Sequence, residues 1–166
     1  MHPRVEKQYR PWRIEPQLRV EVANAGAAEV LVCLLSDQFS VWQALKAPAA
    51  KTFGGLSAIP PNRRILIQAG AVPVLLRLTE CDCQCARENA IFALTQIVQT
   101  EDGPEALVQA GAVSVLQRVV FSRHAGWDYV FPNAMRLLQV LGAPHVDPRK
   151  ADSVIMLTGR VRASAG

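Results

Sequence analysis

The chain has 166 residues, a net charge of +4 and an apolar fraction of 50%, but only 6% of its residues are aromatic. This length suffices for one ordinary domain with a core. A core of Ala, Val and Leu favours closely packed helices, and the apolar positions recur at three and four residues. No apolar run approaches the roughly 18 residues that span a bilayer, so we expect no membrane segment.

The positive charge lies at the two ends of the chain. Residues 1–20 carry five basic and two acidic side chains and residues 144–166 carry four and two, whereas the middle has no basic stripe. Nucleic-acid binding is therefore not expected of the middle. The basic residues near the C-terminus either give weak, salt-sensitive contact with phosphate or an acidic protein surface, or solubilise a tail. They are Arg149, Lys150, Arg160 and Arg162.

The first twenty residues lack the apolar stretch of a secretory signal, so we expect a protein that is not secreted. Residues 1–15 read as an extended arm, because prolines interrupt any helix there. Tyr9 and Trp12 are isolated aromatic residues on this arm. Such rings dock onto something: either the arm folds back over the neighbouring helices as a cap, or it docks on another chain.

The first predicted repeat covers residues 16–58. It has short helices at about 17–25 and 27–35, separated by Gly26, and a longer helix at about 41–56. Because proline removes a backbone donor and clashes with the preceding turn, we expect a kink or break at Pro48.

The second repeat covers residues 59–100 and has the clearest pattern. Asn62 is the expected N-cap of a helix at about 63–69, which Gly70 ends. A second helix at about 72–78 leads through a polar loop to a long helix at about 85–99.

The third repeat covers residues 101–143, with helices at about 105–110, 113–121 and 129–141. Gly111 separates the first two. The remaining residues, 144–166, form a basic tail with one short helix expected around 151–157.

The three glycines lie in nearly the same string, with Ala-Gly-Ala followed by Val-x-Val-Leu in its clearest copies, and they are 44 and 41 residues apart. This period is typical of a helical solenoid. Each glycine is expected to adopt the positive φ that turns one helix sharply into the next. A β-branched residue at Gly70 or Gly111 should add strain and a clash, with a loss of at least ~1–3 kcal/mol.

These residues resemble the armadillo family: a short helix, the Ala-Gly-Ala turn, a second helix, a polar loop and a long helix. The resemblance covers roughly residues 16–143. It implies an all-α fold, a right-handed α-solenoid of about three three-helix repeats, whose long third helices line a concave groove that binds extended peptides. Small proteins of this kind are also similar to components of cilia and flagella.

In the peptide-binding branch of that family, a Trp and an Asn one helical turn later clamp the peptide backbone. The matching positions are Phe92 with Gln96 and Met135 with Gln139, so this pair is absent and nuclear-signal binding is not implied. The two glutamines either hydrogen-bond a partner's main chain or simply face solvent. The expected groove runs past Arg87, Phe92, Gln96, Gln99, Met135 and Gln139.

The four cysteines suggest little chemistry. Cys33 lies on an apolar stretch and is interpreted as a small buried hydrophobe. Cys81, Cys83 and Cys85 alternate in a loop, which makes them weak candidates for a metal, but a structural zinc needs four ligands in paired units. We therefore expect no metal, no cofactor and reduced thiols.

The three histidines stand in no catalytic order and there is no phosphate-binding glycine loop, so we do not expect an enzyme. Three repeats are about the minimum that buries a continuous core, and both ends lack polar capping helices. The sequence thus favours a protein–protein scaffold or adaptor, a subunit of a larger cytoplasmic assembly, with the cytoskeleton and the axoneme among the candidate locations. A groove receptor for an extended peptide or tail, and weak nucleic-acid contact through the basic tails, are the alternatives.

Overall fold

The computed structural model describes residues 15–36, 39–122 and 127–143. These ranges contain helices and no strands, so the all-helical prediction is confirmed for them. A short turn, Ala23–Ala27, joins the first two helices across a kink at Gly26. The helices are α1 (Pro16–Val22), α2 (Ala28–Ser36), α3 (Phe39–Ser57), α4 (Pro60–Gln68), α5 (Ala71–Thr79), α6 (Gln84–Ile97), α7 (Gly103–Gln109), α8 (Ala112–Phe121) and α9 (Trp127–Val140).

Glycines in the left-handed conformation separate the short helices. The φ angles of Gly26, Gly70 and Gly111 are +86°, +73° and +76°, so the positive φ expected from the repeated string is confirmed. A Cβ atom built on Gly70 or Gly111 meets nothing within 4 Å, so the first side-chain atom does not clash; the clash expected of a β-branched residue stays a prediction. The positive φ itself favours glycine at these positions.

Helices at the same place in successive groups of three pack against one another. The long helices form one row, in which α6 contacts both α3 and α9; in the second row α5 contacts α2 and α8. Helix α4 contacts α7 and the Ala23–Ala27 turn. We call α1–α3, α4–α6 and α7–α9 the first, second and third layers. One continuous core runs through all three layers, with fully buried side chains such as Phe53, Leu75, Leu94, Leu116 and Leu137.

Of the kink or break expected at Pro48, the break is wrong, since α3 runs unbroken through this residue; the kink stays a prediction. Pro48 lies on the exposed side of the helix, whereas Ala49, Ala50 and Phe53 are buried in the core. Packing of α3 along α6 therefore outweighs the local preference of proline to end a helix. The Thr52 hydroxyl donates a hydrogen bond of 3.0 Å to the Pro48 carbonyl.

The N-cap assigned to Asn62 is also wrong. Helix α4 begins at Pro60 with Ile59 as its N-cap, so Asn62 lies inside the first turn. Its side chain is fully buried, and its Nδ2 group donates to the carbonyls of Arg19 and Leu56, each at 3.3 Å. Asn62 thus ties α4 to α1 and to the end of α3, where a helix leaves carbonyls without helical partners.

Cys33, interpreted from the sequence as buried, is exposed on α2. Several other sequence-based predictions fall outside the described residues: the arm apart from Glu15, including Tyr9 and Trp12, and the tail with its helix at 151–157. The limits of the three predicted repeats stay predictions.

Candidate protein-binding surfaces

A cleft of about 690 Å³ lies between α6 and α9. Its floor is formed by the buried side chains of Phe92, Tyr129 and Leu137. Its remaining lining residues are mostly polar or exposed, namely Thr95, Gln96, Val98, Gln99, Asp128, Pro132, Asn133, Arg136 and Val140. An apolar floor with a polar rim is the usual character of a binding cleft.

Arg63 of α4 organises one wall of this cleft. Its guanidinium donates to Gln96 Oε1 at 2.7 Å and to Gln99 Oε1 at 3.1 Å. Its Nε donates to the carbonyl of Ser57, the last residue of α3, at 3.0 Å. Partial burial lowers the pKa of Arg63, but an arginine stays charged, and a cation at helix C-termini is favourable.

The two glutamines are therefore held in place within the protein. Gln99 Nε2 donates in turn to the Thr95 carbonyl at 3.0 Å. Because Gln96 Oε1 accepts from Arg63, the Nε2 group is what Gln96 can offer to a partner in the cleft.

On the facing helix, the Asn133 Nδ2 group donates to the Tyr129 carbonyl at 2.7 Å. Its amide oxygen is the atom suited to accept from a ligand. Burial, and then the negative charge of Glu88, raise the pKa of Tyr129 to about 12. The phenol therefore keeps its proton at neutral pH.

The cleft contains three of the six predicted groove residues: Phe92, Gln96 and Gln99. Arg87 is buried elsewhere, with its Nη1 donating to the Cys81 carbonyl at 2.8 Å. Met135 is half-buried against the core and Gln139 is exposed, and neither lines the cleft. On α9 the cleft is lined instead by Tyr129, Asn133 and Arg136.

The cysteine loop between α5 and α6 is held by an ion pair. Lys46 of α3 pairs with Asp82, which raises the pKa of Lys46 and lowers that of Asp82. Burial raises the pKa of the Cys81 and Cys85 thiols, which disfavours the thiolate that binds metals. In the part of the chain that the structure describes, no group of three or more His, Cys, Asp or Glu side chains is placed to hold a metal ion.

A second surface is the outer side of the first layer, which we call the N-terminal face. It is defined by the exposed apolar side chains of Leu18 and Val22 on α1 and of Val30 and Leu34 on α2. Counting from the glycine of each layer, their equivalents in the second layer are Asn62, Leu66, Val74 and Leu78, and all four are buried. The side that the second layer buries is thus the side that the first layer leaves open.

Two matched pairs measure this difference. Leu34 is 43% exposed and Leu78 is 0% exposed, although both are leucines eight positions after the glycine of their layer. Val30 is 58% exposed and its equivalent Val74 is 4% exposed. In the second layer these positions face α2, whereas the first layer has no described helix before it.

The polar edge of the N-terminal face also differs from its equivalents. Arg77 and Arg118 reach back to the preceding layer: Arg77 donates to the Leu35 carbonyl at 3.2 Å, and Arg118 donates to both carboxylate oxygens of Glu80 at 2.7 and 3.1 Å. The first layer has Cys33 at this position. The acidic residues Glu21 and Glu29 are exposed on the same two helices.

Sequence reasoning missed Arg63 and Asn133. It expected both ends of the stack to lack polar caps, but it did not name the residues of the N-terminal face. The face had an available signal, because alignment of the repeats on their glycines places Leu34 opposite Leu78 from the sequence alone. The role of Arg63 in the cleft had no such signal, since its glutamine partners lie 33 and 36 residues away.

No protein-family model and no curated protein matches this chain. A crystal structure of an engineered protein, a Northeast Structural Genomics Consortium target, is similar to it with a TM-score of 0.63 and 28% sequence identity. The match covers 77% of this chain and 50% of the engineered one, so this chain spans about half the length of that protein. Separately, none of the described helices has the length and apolar character needed to cross a membrane.

Proposed function

We propose that this chain is a non-catalytic protein–protein interaction scaffold or adaptor, a structural subunit of a larger assembly. Its architecture is a right-handed solenoid of three armadillo-like repeats. The packing of equivalent helices and the left-handed glycine at the same place in each layer support this architecture. A cytoplasmic location, including the cytoskeleton or axoneme, fits the proposal.

The observation that carries the proposal is the N-terminal face. Solenoid proteins normally end in capping repeats with a polar outer side, because an exposed stacking face aggregates. Here Leu18, Val22, Val30 and Leu34 keep an apolar stacking face open. Contiguous exposed apolar side chains rimmed by charge mark an interaction site on soluble proteins.

The test uses the full chain with Val30→Glu and Leu34→Glu together, since both side chains are exposed and the change should leave the fold intact. The matched control is Val108→Glu, which alters an exposed apolar side chain on α7, in the third layer. We expect the double variant to lose the proteins that co-purify with the native chain from its source cells, while the control retains them. An identical set of co-purifying proteins for all three chains would contradict the proposal.

The cleft supports a second candidate, a receptor for an extended peptide or protein tail. The observation in its favour is that Gln96 and Asn133 are oriented by Arg63 and by the Tyr129 carbonyl, so one free donor and one free acceptor line an apolar floor. Peptides would first be selected from a display library for binding to the native chain. The double variant Asn133→Ala with Arg136→Ala should no longer bind these peptides, and its melting temperature should stay unchanged. Unchanged selection by this variant would exclude the cleft.

A further inference from the structure

We propose that the N-terminal face binds an amphipathic α-helix of another protein, one that carries lysine or arginine beside its apolar side chains. The inference rests on the proposed function, because it states which kind of partner segment the same face takes. It follows from the shape of the face, from what covers the equivalent positions in the second layer, and from the sign of the charge at its edge.

The face has a shape that receives a helix. Leu18 and Val22 are one turn apart on α1, and Val30 and Leu34 are one turn apart on α2, so each helix presents an exposed apolar ridge. Helices α1 and α2 have 7 and 9 residues, or roughly 11 and 14 Å at about 1.5 Å per residue. About two to three turns of a partner helix cover this length. Apolar side chains spaced three and four residues apart on that helix fit between the two ridges.

The second layer shows what covers such a face elsewhere in the molecule. There α2 packs against α5, and the Ala23–Ala27 turn packs against α4. This contact buries the side chains equivalent to those of the N-terminal face. A helix satisfies its backbone hydrogen bonds internally, whereas an extended segment on apolar side chains leaves amide and carbonyl groups without partners. A helical occupant therefore repeats on the first layer the contact that the chain makes on the second.

The charge of the first two helices favours a basic partner. Within residues 15–36 every exposed charged side chain is acidic, namely Glu15, Glu21 and Glu29, while Arg19 is half-buried. A carboxylate oxygen of Glu29 lies 3.8 Å from the place that a Cβ atom would take on Gly26, so this charge sits over the turn between α1 and α2. Carboxylates beside an apolar surface favour a partner of opposite charge, which they also help to orient.

The edge of the face has the opposite sign from the same edge of the later layers. Arg77 and Arg118 are exposed at that edge and donate to acceptors of the preceding layer. The first layer has Cys33 at their position and Glu29 one turn earlier, where the later layers have uncharged residues. The first layer thus lacks the donor that matches acceptors of this chain, and it presents an acceptor that matches a basic group.

The same charges disfavour a second copy of the chain as the occupant. Two copies paired through this face would form an isologous contact, in which each residue meets the same patch on its partner. Glu21 and Glu29 of one copy would then lie against the same acidic residues of the other, and like charges at an interface are unfavourable.

The test uses the full chain and two synthetic peptides of about three heptads each, which share one pattern of leucines at three- and four-residue spacing. One peptide carries lysine beside the leucines and the other carries glutamate at the same positions. We expect fluorescence anisotropy to show at least about tenfold tighter binding of the lysine peptide, with a difference that decreases as salt is added. Glu21→Gln with Glu29→Gln should abolish the difference. The matched control is Glu101→Gln with Glu105→Gln, which alters exposed carboxylates before and on α7 and should keep it.

A second pair of variants tests the apolar part of the contact. Val30→Ser with Leu34→Ser removes one ridge without adding charge and should weaken binding of the lysine peptide about tenfold or more. Val108→Ser alters an exposed apolar side chain of the third layer and should leave this binding unchanged.

Three results would overturn the proposal. One is equal affinity of the native chain for the two peptides, and another is a preference for lysine that persists in Glu21→Gln with Glu29→Gln. The third is a native dimer in light scattering that Val30→Ser with Leu34→Ser makes monomeric, because a second copy would then occupy the face.

The proposed function is decided separately, by whether Val30→Glu with Leu34→Glu removes the co-purifying proteins. Loss of these proteins together with equal peptide affinities would mean that the face binds a partner of another chemistry. Retention of these proteins would contradict the proposed function whatever the peptides do.

Discussion

The first and second layers place the same apolar residues at the same distance from the same glycine turn, yet one exposes them and the other buries them. Val30 and Val74, and Leu34 and Leu78, are identical in type and differ in what lies beside them. Burial in this fold is thus a property of position in the stack. The comparison separates two contributions to stability, the packing between layers and the local backbone conformation within a layer.

The largest effect should come from truncating a buried leucine. We expect Leu78→Ala to reduce the free energy of unfolding by about 3 kcal/mol, because it removes a fully buried side chain and leaves a cavity. Leu34→Ala should cost less than about 0.5 kcal/mol, as is usual for exposed positions. Urea denaturation measures both, and equal losses would mean that Leu34 is covered in the folded protein.

The second effect depends on pH and belongs to the third layer. The pKa of Tyr129 is about 12 in the folded protein, against 10.0 for an ordinary tyrosine, so folding favours the protonated phenol. Its contribution is fully present below pH 10 and is lost as the pH rises from 10 to 12, by roughly 2–3 kcal/mol.

Stability measured by urea denaturation should therefore fall less steeply between neutral pH and pH 11 in Tyr129→Phe than in the native protein. Parallel pH profiles for the two proteins would show that this phenol titrates normally.

Substitution of the glycines measures how much the local backbone conformation contributes to stability, and this contribution should not depend on the layer. Gly26→Ala, Gly70→Ala and Gly111→Ala should each cost about 1–2 kcal/mol, because alanine is strained at positive φ. Gly103→Ala should destabilise for another reason, since its Cβ would overlap the Ile97 carbonyl oxygen. Thermal melts of the four variants check this, and a larger loss at Gly111 than at Gly26 would show that the turns also transmit packing.

The smallest effect concerns the ion pair between layers. Arg118 and Glu80 are partly solvated, so a double-mutant cycle should give a coupling of about 0.5 kcal/mol that decreases with salt. Cys33→Arg creates the equivalent arginine in the first layer, where no described layer precedes it. Its expected gain is therefore limited to a pair with Glu29, one turn earlier on α2, worth about 0.3 kcal/mol. Loss of this gain in Glu29→Gln would show that the new arginine pairs within its own helix, and a gain that persists there would contradict the comparison.

The sequence predicted features that are set within a few residues of one another. The helices, their approximate ends and the positive φ of Gly26, Gly70 and Gly111 follow from apolar spacing and from what glycine alone adopts easily. The break expected at Pro48 does not occur because α3 packs along α6, which lies far along the chain. The N-cap prediction for Asn62 failed because its side chain donates to carbonyls of α1 and α3 rather than capping its own helix.

The candidate surfaces were predicted only in part for the same reason. The residues of α6 that line the cleft were identified, since one helix face follows from a period of 3.6. The residues of α9 were not, because the gap between two helices depends on how far they diverge. Asn133 and Arg136 line the cleft in place of the predicted Met135 and Gln139.

The side chain of Arg63 contacts both the neighbouring layer and the wall of the cleft. Its three donors satisfy the end of α3 through Ser57 and fix Gln96 and Gln99 at the cleft wall. Substitution in this wall of the cleft is therefore constrained. Replacing either glutamine removes an acceptor from the Arg63 guanidinium, and replacing Arg63 removes the donor that binds the Ser57 carbonyl at the end of α3. Variants with altered binding in the cleft should arise on α9, where Arg136 is exposed and Asn133 donates to a carbonyl of its own helix.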